Sequence, residues 1–500
     1  MPSIGRREIP ELDAKILQGE AFETRTYKLR LVTPMFGGGA EAGQIDSRRP
    51  IRASSVRGHL RSWWRMLRYT HYSPNGTLEV ARMRTREFEI WGSTDNPSPV
   101  QIHIKSDPKQ QAIKRLKGSD VDHPFGFDRF SPEGYALFSA IEKKDPPVTA
   151  LLQEGYEFEL TLRWPLHVKL TQLRQAENDR RRKNKVPQLA ETIENITADI
   201  EQSVAAWIAW GGLGARTRRG LGAIEIVEKS HELPDATLPA GSRVFIGRNP
   251  VVEPLKLWRD ALDVYQRFRQ SFRRPRSGKA PGRSHWPEPD SIRKITGCAL
   301  KDDNIPKDHT KPIVSQNVPN FPRAVLGLPI VFQFKDGPFR GPPASPASLT
   351  LDPAVVELKP RAFDDKCLPK VDTNGFPGAA DRMASPIITK PIKVDGVWHA
   401  GVVILPHEHA LSMSCVLTGK LARWDLSTKK AQDCHEAIPN AQIAGPQLSS
   451  LCPAEMTDPL RGHQNAIMAL IEFLGEAQDG GAGTSRTPKP VFKEKEMGAI

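Results

Sequence analysis

Cysteine is scarce in this sequence. The 500 residues hold five, Cys298, Cys367, Cys415, Cys434 and Cys452, all in the second half. None forms a C-x-x-C pair, so the spacing of a zinc site is missing, and a sparse, odd set suits a reducing compartment better than a disulfide scaffold. Long apolar runs are absent too. No stretch of about 18 apolar residues occurs, and the N-terminal "MPSIGRREIPELDAK" has no apolar signal core. These absences read as a cytoplasmic chain that does not enter a membrane. Carboxylates are outnumbered: 58 Asp and Glu stand against 71 Lys and Arg, a formal net charge of +13. That surplus favours a polyanionic partner without naming one. The 44 Pro and 38 Gly fall short of the roughly 25–30% that marks a low-complexity chain, and read as long irregular loops.

Hydrophobic periodicity is clearest in the first half. "TYKLRLVT" (26–33), "VQIHIK" (100–105), "YEFELTLRW" (156–164) and "AIEIVE" (223–228) read as strands. "LAETIENITADIEQSVAAWIAW" repeats apolar residues every three or four positions from Leu189 to Ile208 and reads as a helix ending at a glycine cap. A second helix starts at Ser54 or Ser55, either of which could cap it. The order is β-α-β-β-α-β, the split ferredoxin-like arrangement on which RNA-recognition domains are built. In the second half, "RVFIG", "VLGLPIVFQF" and "GVWHAGVVIL" read as strands, and 257–272 and 462–477 as helices. The fold class expected is α+β: two ferredoxin-like (RRM-like, βαββαβ) domains with long loop insertions. The divisions are 1–235, 236–477 and an unstructured, polar tail at 478–500.

Arg48 to Arg68, "RRPIRASSVRGHLRSWWRMLR", holds seven arginines and no lysine, Asp or Glu. On a helical wheel Arg57, Arg61, Arg65 and Arg68 share one face within about 80°, while Val56, Leu60, Trp63 and Leu67 share another. A solvated face usually mixes signs, because like charges at i,i+4 repel. An arginine stripe without carboxylates therefore points to phosphate, which the guanidinium fork matches. The other reading pairs the stripe with acids elsewhere in the fold or in a partner protein. Trp63 reads as core, and Trp64 as core or as a platform for a base. Glycine-rich loops at Gly37, Gly38 and Gly39 and at 211–222 ("GGLGARTRRGLG") offer backbone N–H groups to phosphate. The second loop adds Arg216, Arg218 and Arg219. It follows a helix and lacks the G-K-[ST] ending, so it is no nucleotide P-loop.

The ordered blocks "TPMFGGGAEAG", "PIRASSVRGHLRSWWR", "EFEIWGSTDNPSPVQIHI" and "GGLGARTRRGLG" resemble the RAMP superfamily of CRISPR proteins. Within it they are most similar to the first-subunit family of type III-B Cmr effector complexes. "FPRAVLGLPIVFQF" and "RMASPIITKPI" resemble that family's C-terminal domain. The resemblance implies a non-catalytic, RNA-binding subunit at one end of an antiviral ribonucleoprotein, with guide RNA, complementary target RNA and other Cmr subunits as partners. The residues read as RNA contacts are Arg48, Arg49, Arg52, Arg57, Arg61, Arg65 and Arg68, the 37–39 glycines, and Gly212, Gly214, Arg216, Arg218 and Arg219; of these, the resemblance itself implies the Arg52–Arg68 helix and the Gly211–Gly222 loop. No cofactor and no metal is expected. Two alternatives stand. One is an endoribonuclease using His59 or Asp46: metal-independent RNA cleavage needs a general acid and base, for which His59 and His103 are the candidates, and Asp46 lies in the loop where the resemblance places the cleaving aspartate of other RAMP subunits. The other is a protein-interaction subunit without RNA contact.

Overall fold

The computed structural model describes residues 22–39, 45–46, 48–74, 76, 78–94, 97–106, 113–116, 131–137, 149–165, 167–168, 172–185, 188, 193–194, 196–248, 250, 252–270, 286, 288–295, 321–333, 352–362, 370, 380–411, 415–425, 430–434, 442–443, 463, 465–475 and 492–495. It is a mixed α+β fold built on antiparallel sheets.

The first sheet comes from β1 (Phe22–Leu31), β2 (Gln101–Ser106), β3 (Glu157–Pro165) and β4 (Ile224–Lys229). Its order is β2-β3-β1-β4. Helix α1 (Ala53–Arg68) and helix α2 (Val80–Trp91) lie between β1 and β2, and helix α3 (Thr197–Trp210) between β3 and β4. Alternation explains the strands. Tyr27, Leu29 and Leu31 point inward with Phe158, Leu160 and Leu162, and α1 and α3 cover them with Val56, Leu60, Trp63, Trp64, Val204 and Trp207. The other face holds Lys28, Arg30, Glu157, Glu225 and Glu228 in mutual ion pairs.

The second half repeats this order. Strands β5 (Arg243–Gly247), β6 (Ile387–Val394), β7 (Val397–Ile404) and β8 (Phe492–Lys495) form a sheet β6-β7-β5-β8. Helix α4 (Pro254–Gln270) follows β5, and helix α5 (Ala466–Gly475) precedes β8. Pro391 sits inside β6, which is an edge strand and so can lack a ladder donor. A separate five-stranded sheet uses Ile330–Gln333, Asp352–Pro360, Cys415–Asp425, Lys430–Cys434 and Gln442–Ile443.

Several expectations shift. Helix α3 starts at Thr197, not Leu189, because Ile193–Glu194 pair with His167–Val168 as a short ladder. Ile193 and Ile196 keep helical spacing, yet β-branched residues suit extended backbone better. Helix α1 starts at Ala53 with Arg52 in the cap position, so neither serine caps it. The run "VLGLPIVFQF" splits into a 3-10 turn and a strand of the separate sheet. Within the expected tail, Phe492–Lys495 are ordered, because Arg243 and Glu494 pair across β5 and β8 and Phe492 is buried.

Candidate functional site

The two glycine loops meet at the end of β1. Ala215 donates its N–H to the Phe36 carbonyl, and Gly222 donates to the Pro34 carbonyl, both at 2.7 Å. The Thr33 hydroxyl donates to the Gly220 carbonyl at 2.6 Å and accepts from the Ala223 N–H at 2.8 Å. The glycines answer to protein rather than to a ligand. At Gly220, φ is +74° and an added Cβ would lie 2.3 Å from the Thr389 carbonyl oxygen of β6. At Gly222, φ is +67° and a Cβ would lie 2.0 Å from the Leu213 oxygen.

The arginine stripe of α1 is not free of carboxylates. Arg61 pairs with Glu87 of α2, and Arg65 lies 3.5 Å from the same carboxylate. Glu87 is only 3% exposed. Arg68 pairs with Asp199 of α3 at 2.8 Å, alongside Arg86 at 2.8 Å and the Trp64 indole N–H at 3.0 Å. Burial pushes the Asp199 carboxyl up, but Arg86 and Arg68 outweigh it and hold it below the usual carboxylate range. Arg57 donates to the Val100 carbonyl. Helix α2 went unread in the sequence because its inward positions include Glu87 and Glu89, which break the apolar stripe. Trp64, 1% exposed and bonded to Asp199, is core and offers no face to a base.

What remains open on α1 is a different face. His59, Ser62 and Met66 line a cleft with Trp210, Gly211, Gly212, Thr217 and Arg218, and Ile388 of β6 closes one side. Only His59, the glycine loop and Arg218 were anticipated. Ser62 and Met66 carry no motif of their own. Arg218 is half-buried there. Its Nη2 faces the Met66 sulfur at 3.5 Å, while Nη1 is buried with no hydrogen-bond partner. Burial, with Arg219 nearby, pushes its pKa down to about 10, so it stays charged at neutral pH. His59 stacks on Trp207, ring centroids 6.5 Å apart, and burial lowers its pKa to about 4. The imidazole is therefore neutral at pH 7.

The other loop arginines turn away from this cleft. Arg216 donates to the Ala136 carbonyl, and Arg219 donates to the Ile387 carbonyl and the Tyr265 hydroxyl. Arg48 and Arg49 lie exposed before α1, their backbone N–H groups donating to Asp46. Those two bonds hold the Asp46 carboxyl below its usual range. Arg52 stands at the α1 N-terminus, whose first turn has no side-chain cap and no acid. Gly37, Gly38 and Gly39 continue from the Met35–Phe36 strand toward this region, with Gly38 against the Pro50 carbonyl. His103 is exposed on β2.

Lys390 of β6 reaches the end of α3. Its ammonium donates to the carbonyls of Ile208 (3.3 Å), Ala209 (2.8 Å) and Gly211 (3.0 Å). The residue is 2% exposed, and burial pushes its pKa down to about 7. A cation at a helix C-terminus meets the negative end of the dipole. Among the described residues no group of three or more His, Cys, Asp or Glu could hold a metal ion, and no helix is long and apolar enough to cross a membrane.

Comparison with known proteins places the first half. Residues 28–225 match the RAMP superfamily. CRISPR system Cmr subunit Cmr1-1 of Pyrococcus furiosus is 25% identical over 186 residues, covering 37% of this chain and 42% of that protein. Thus the chain spans less than half of that relative. Subunit Cmr1-2 of the same organism is 25% identical over 201 residues, 40% of this chain and 93% of the relative. Among solved structures, apo Cmr1 from Pyrococcus furiosus aligns over 77% of this chain and 88% of its own, with a TM-score of 0.39 and 13% identity. A chain of type III-B Cmr-beta bound to cognate target RNA aligns over 76% of this chain and 94% of its own, with a TM-score of 0.33 and 13% identity. Residues 28–225 thus match the RAMP superfamily, and the chain resembles Cmr1 of the type III-B Cmr complex.

Proposed function

We propose that this chain is a non-catalytic, cytoplasmic RNA-binding subunit of a type III-B Cmr ribonucleoprotein. In this reading its two βαββαβ units are ferredoxin-like domains, and guide RNA, or guide RNA paired to target, is the ligand. Other Cmr subunits are its neighbours. The observation that carries the reading is Arg218: a charged guanidinium in the cleft between α1 and the 211–222 loop, with buried Nη1 lacking any partner. A phosphate oxygen supplies that partner. The approach to the cleft is also basic. Arg48, Arg49 and Arg52 gather at the uncapped N-terminus of α1, where backbone N–H groups favour an anion. Position 53 is about 9 Å along the helix from His59, so one strand can touch both places. Such contacts set strand path rather than sequence. Arg61, Arg65 and Arg68 leave the contact set because they already face the carboxylates of Glu87 and Asp199.

The test is single-stranded RNA binding by the full chain as a function of salt. The log–log slope should be near −0.7 per phosphate neutralised, and Arg218→Ala should weaken binding and flatten that slope. Wild-type affinity and slope in Arg218→Ala would refute the cleft. Incubation with labelled guide or target RNA tests the non-catalytic part, since specific products that vanish in His59→Ala or Asp46→Ala would mean an endoribonuclease.

A further inference from the structure

The 211–222 loop sends its arginines two ways. Arg218 faces the α1 cleft, while Arg219 faces the junction between the domains. There it stacks on Tyr265 of α4, 4.4 Å from the ring centroid, and lies 5.9 Å from the ring of Tyr135 in the short helix Pro132–Ala136. Arg269 of α4 donates to the Tyr135 hydroxyl at 3.1 Å and lies 5.8 Å from the Tyr265 ring. Arg323 adjoins it, donating to the Arg269 carbonyl. Arg382 stands exposed close by, near enough to Arg216 to repel it.

Carboxylates do not match these charges. Among the described residues of the junction, Glu288 is engaged by Arg323 and Glu133 by Arg259, and Asp381 lies exposed beside Arg382 in the chain. Arg219 and Arg269 are bonded only to phenols and carbonyls, and both keep part of their surface in solvent. The α1 stripe shows what this fold does with arginines used as mortar: it gives them Glu87 and Asp199. Grouped guanidiniums without counterions repel one another, and a phosphate relieves that while matching their forks.

We infer that the domain junction at Arg219, Arg269 and Arg382 is a second phosphate site, taking an internal phosphodiester of the RNA strand that enters the α1 cleft. The inference rests on the RNA-binding reading above. The 211–222 loop then lies between two contacts on one strand, Arg218 on one side and Arg219 on the other.

The experiment is fluorescence anisotropy of the full chain with a single-stranded oligoribonucleotide lacking terminal phosphates, across a salt series. Arg382→Glu and Arg269→Gln are compared with Arg218→Ala, and unfolding midpoints are recorded. Each junction variant should weaken binding roughly tenfold and reduce the slope by about 0.7 per lost contact. Arg382 is exposed, so its variant should keep the wild-type midpoint and decides the matter if Arg269→Gln unfolds. Wild-type affinity in Arg382→Glu, with Arg218→Ala weakened, overturns the junction site and leaves the cleft standing. The reverse pattern leaves a phosphate contact at the junction but overturns the cleft and, with it, the path of one strand across both sites. Junction variants that lose only affinity for inorganic phosphate, with RNA binding intact, would make it an ion site and overturn the strand path.

Discussion

Replacing Lys390 by methionine tests how β6 holds the loop. Methionine keeps much of the length and removes the ammonium. Three carbonyls, on Ile208, Ala209 and Gly211, lose their donor at the end of α3. Hydrogen bonds to a charged group contribute about 1.5–3 kcal/mol each, and a buried acceptor left bare costs about 1–3 kcal/mol. Against this, the variant is spared the desolvation of a buried ammonium, itself several kcal/mol. The balance is a destabilisation of about 2–4 kcal/mol. Urea denaturation followed by tryptophan fluorescence measures it, with hydrogen exchange around 208–222 locating it. The pH dependence supplies an independent sign. Lys390 has a pKa of about 7 when folded, against an ordinary value of 10.5. Between those values the unfolded chain binds more protons, so wild-type stability rises with pH, by at most about 1.4 kcal/mol per unit. Lys390→Met lacks that rise, so the gap between the two proteins should be wider at pH 9 than at pH 7. A gap under about 1 kcal/mol at both pH values, with unchanged exchange at 208–222, would refute the reasoning.

Three further outcomes are expected. Glu87→Gln should lower stability by about 2–3 kcal/mol in thermal or chemical unfolding, since Arg61 and Arg65 lose their buried partner while keeping some solvent. Gly220→Ala should lose about 3 kcal/mol or more by the same measurement, because a left-handed backbone and the Thr389 oxygen both oppose a Cβ. His59 is held neutral with a folded pKa of about 4 against an ordinary 6.5. The unfolded chain therefore takes the proton first, and stability should fall as pH drops from 6.5 toward 4. His59→Gln should show a shallower fall in a pH series of melting temperatures.

Local patterns carried the first domain. The period-2 runs of β1 and β3 and the Val/Leu/Trp face of α1 mark what is buried, since each such element has one polar and one apolar side. Other features depend on distant residues. The acids that neutralise Arg61 and Arg68 lie 26 and 131 positions away, so the stripe looked unpaired along the chain. Strand β6 hid because Pro391 and Lys390 interrupt its apolar run, although edge placement tolerates the one and a helix end receives the other. Arg216, Arg218 and Arg219 read alike in "GARTRRG", and only the backbone turn, with Arg216 at φ +58°, points them to different neighbours.

The loop at 211–222 belongs to the segment that matches the RAMP superfamily, yet Ile388, Thr389 and Lys390 bear on it from outside that segment. For any ligand of the loop, binding and the packing of β6 against the end of α3 would share one free energy. A ligand that binds the packed form better by some factor must tighten that packing by the same factor. Anything that pries β6 from the end of α3 weakens that ligand equally, without touching it.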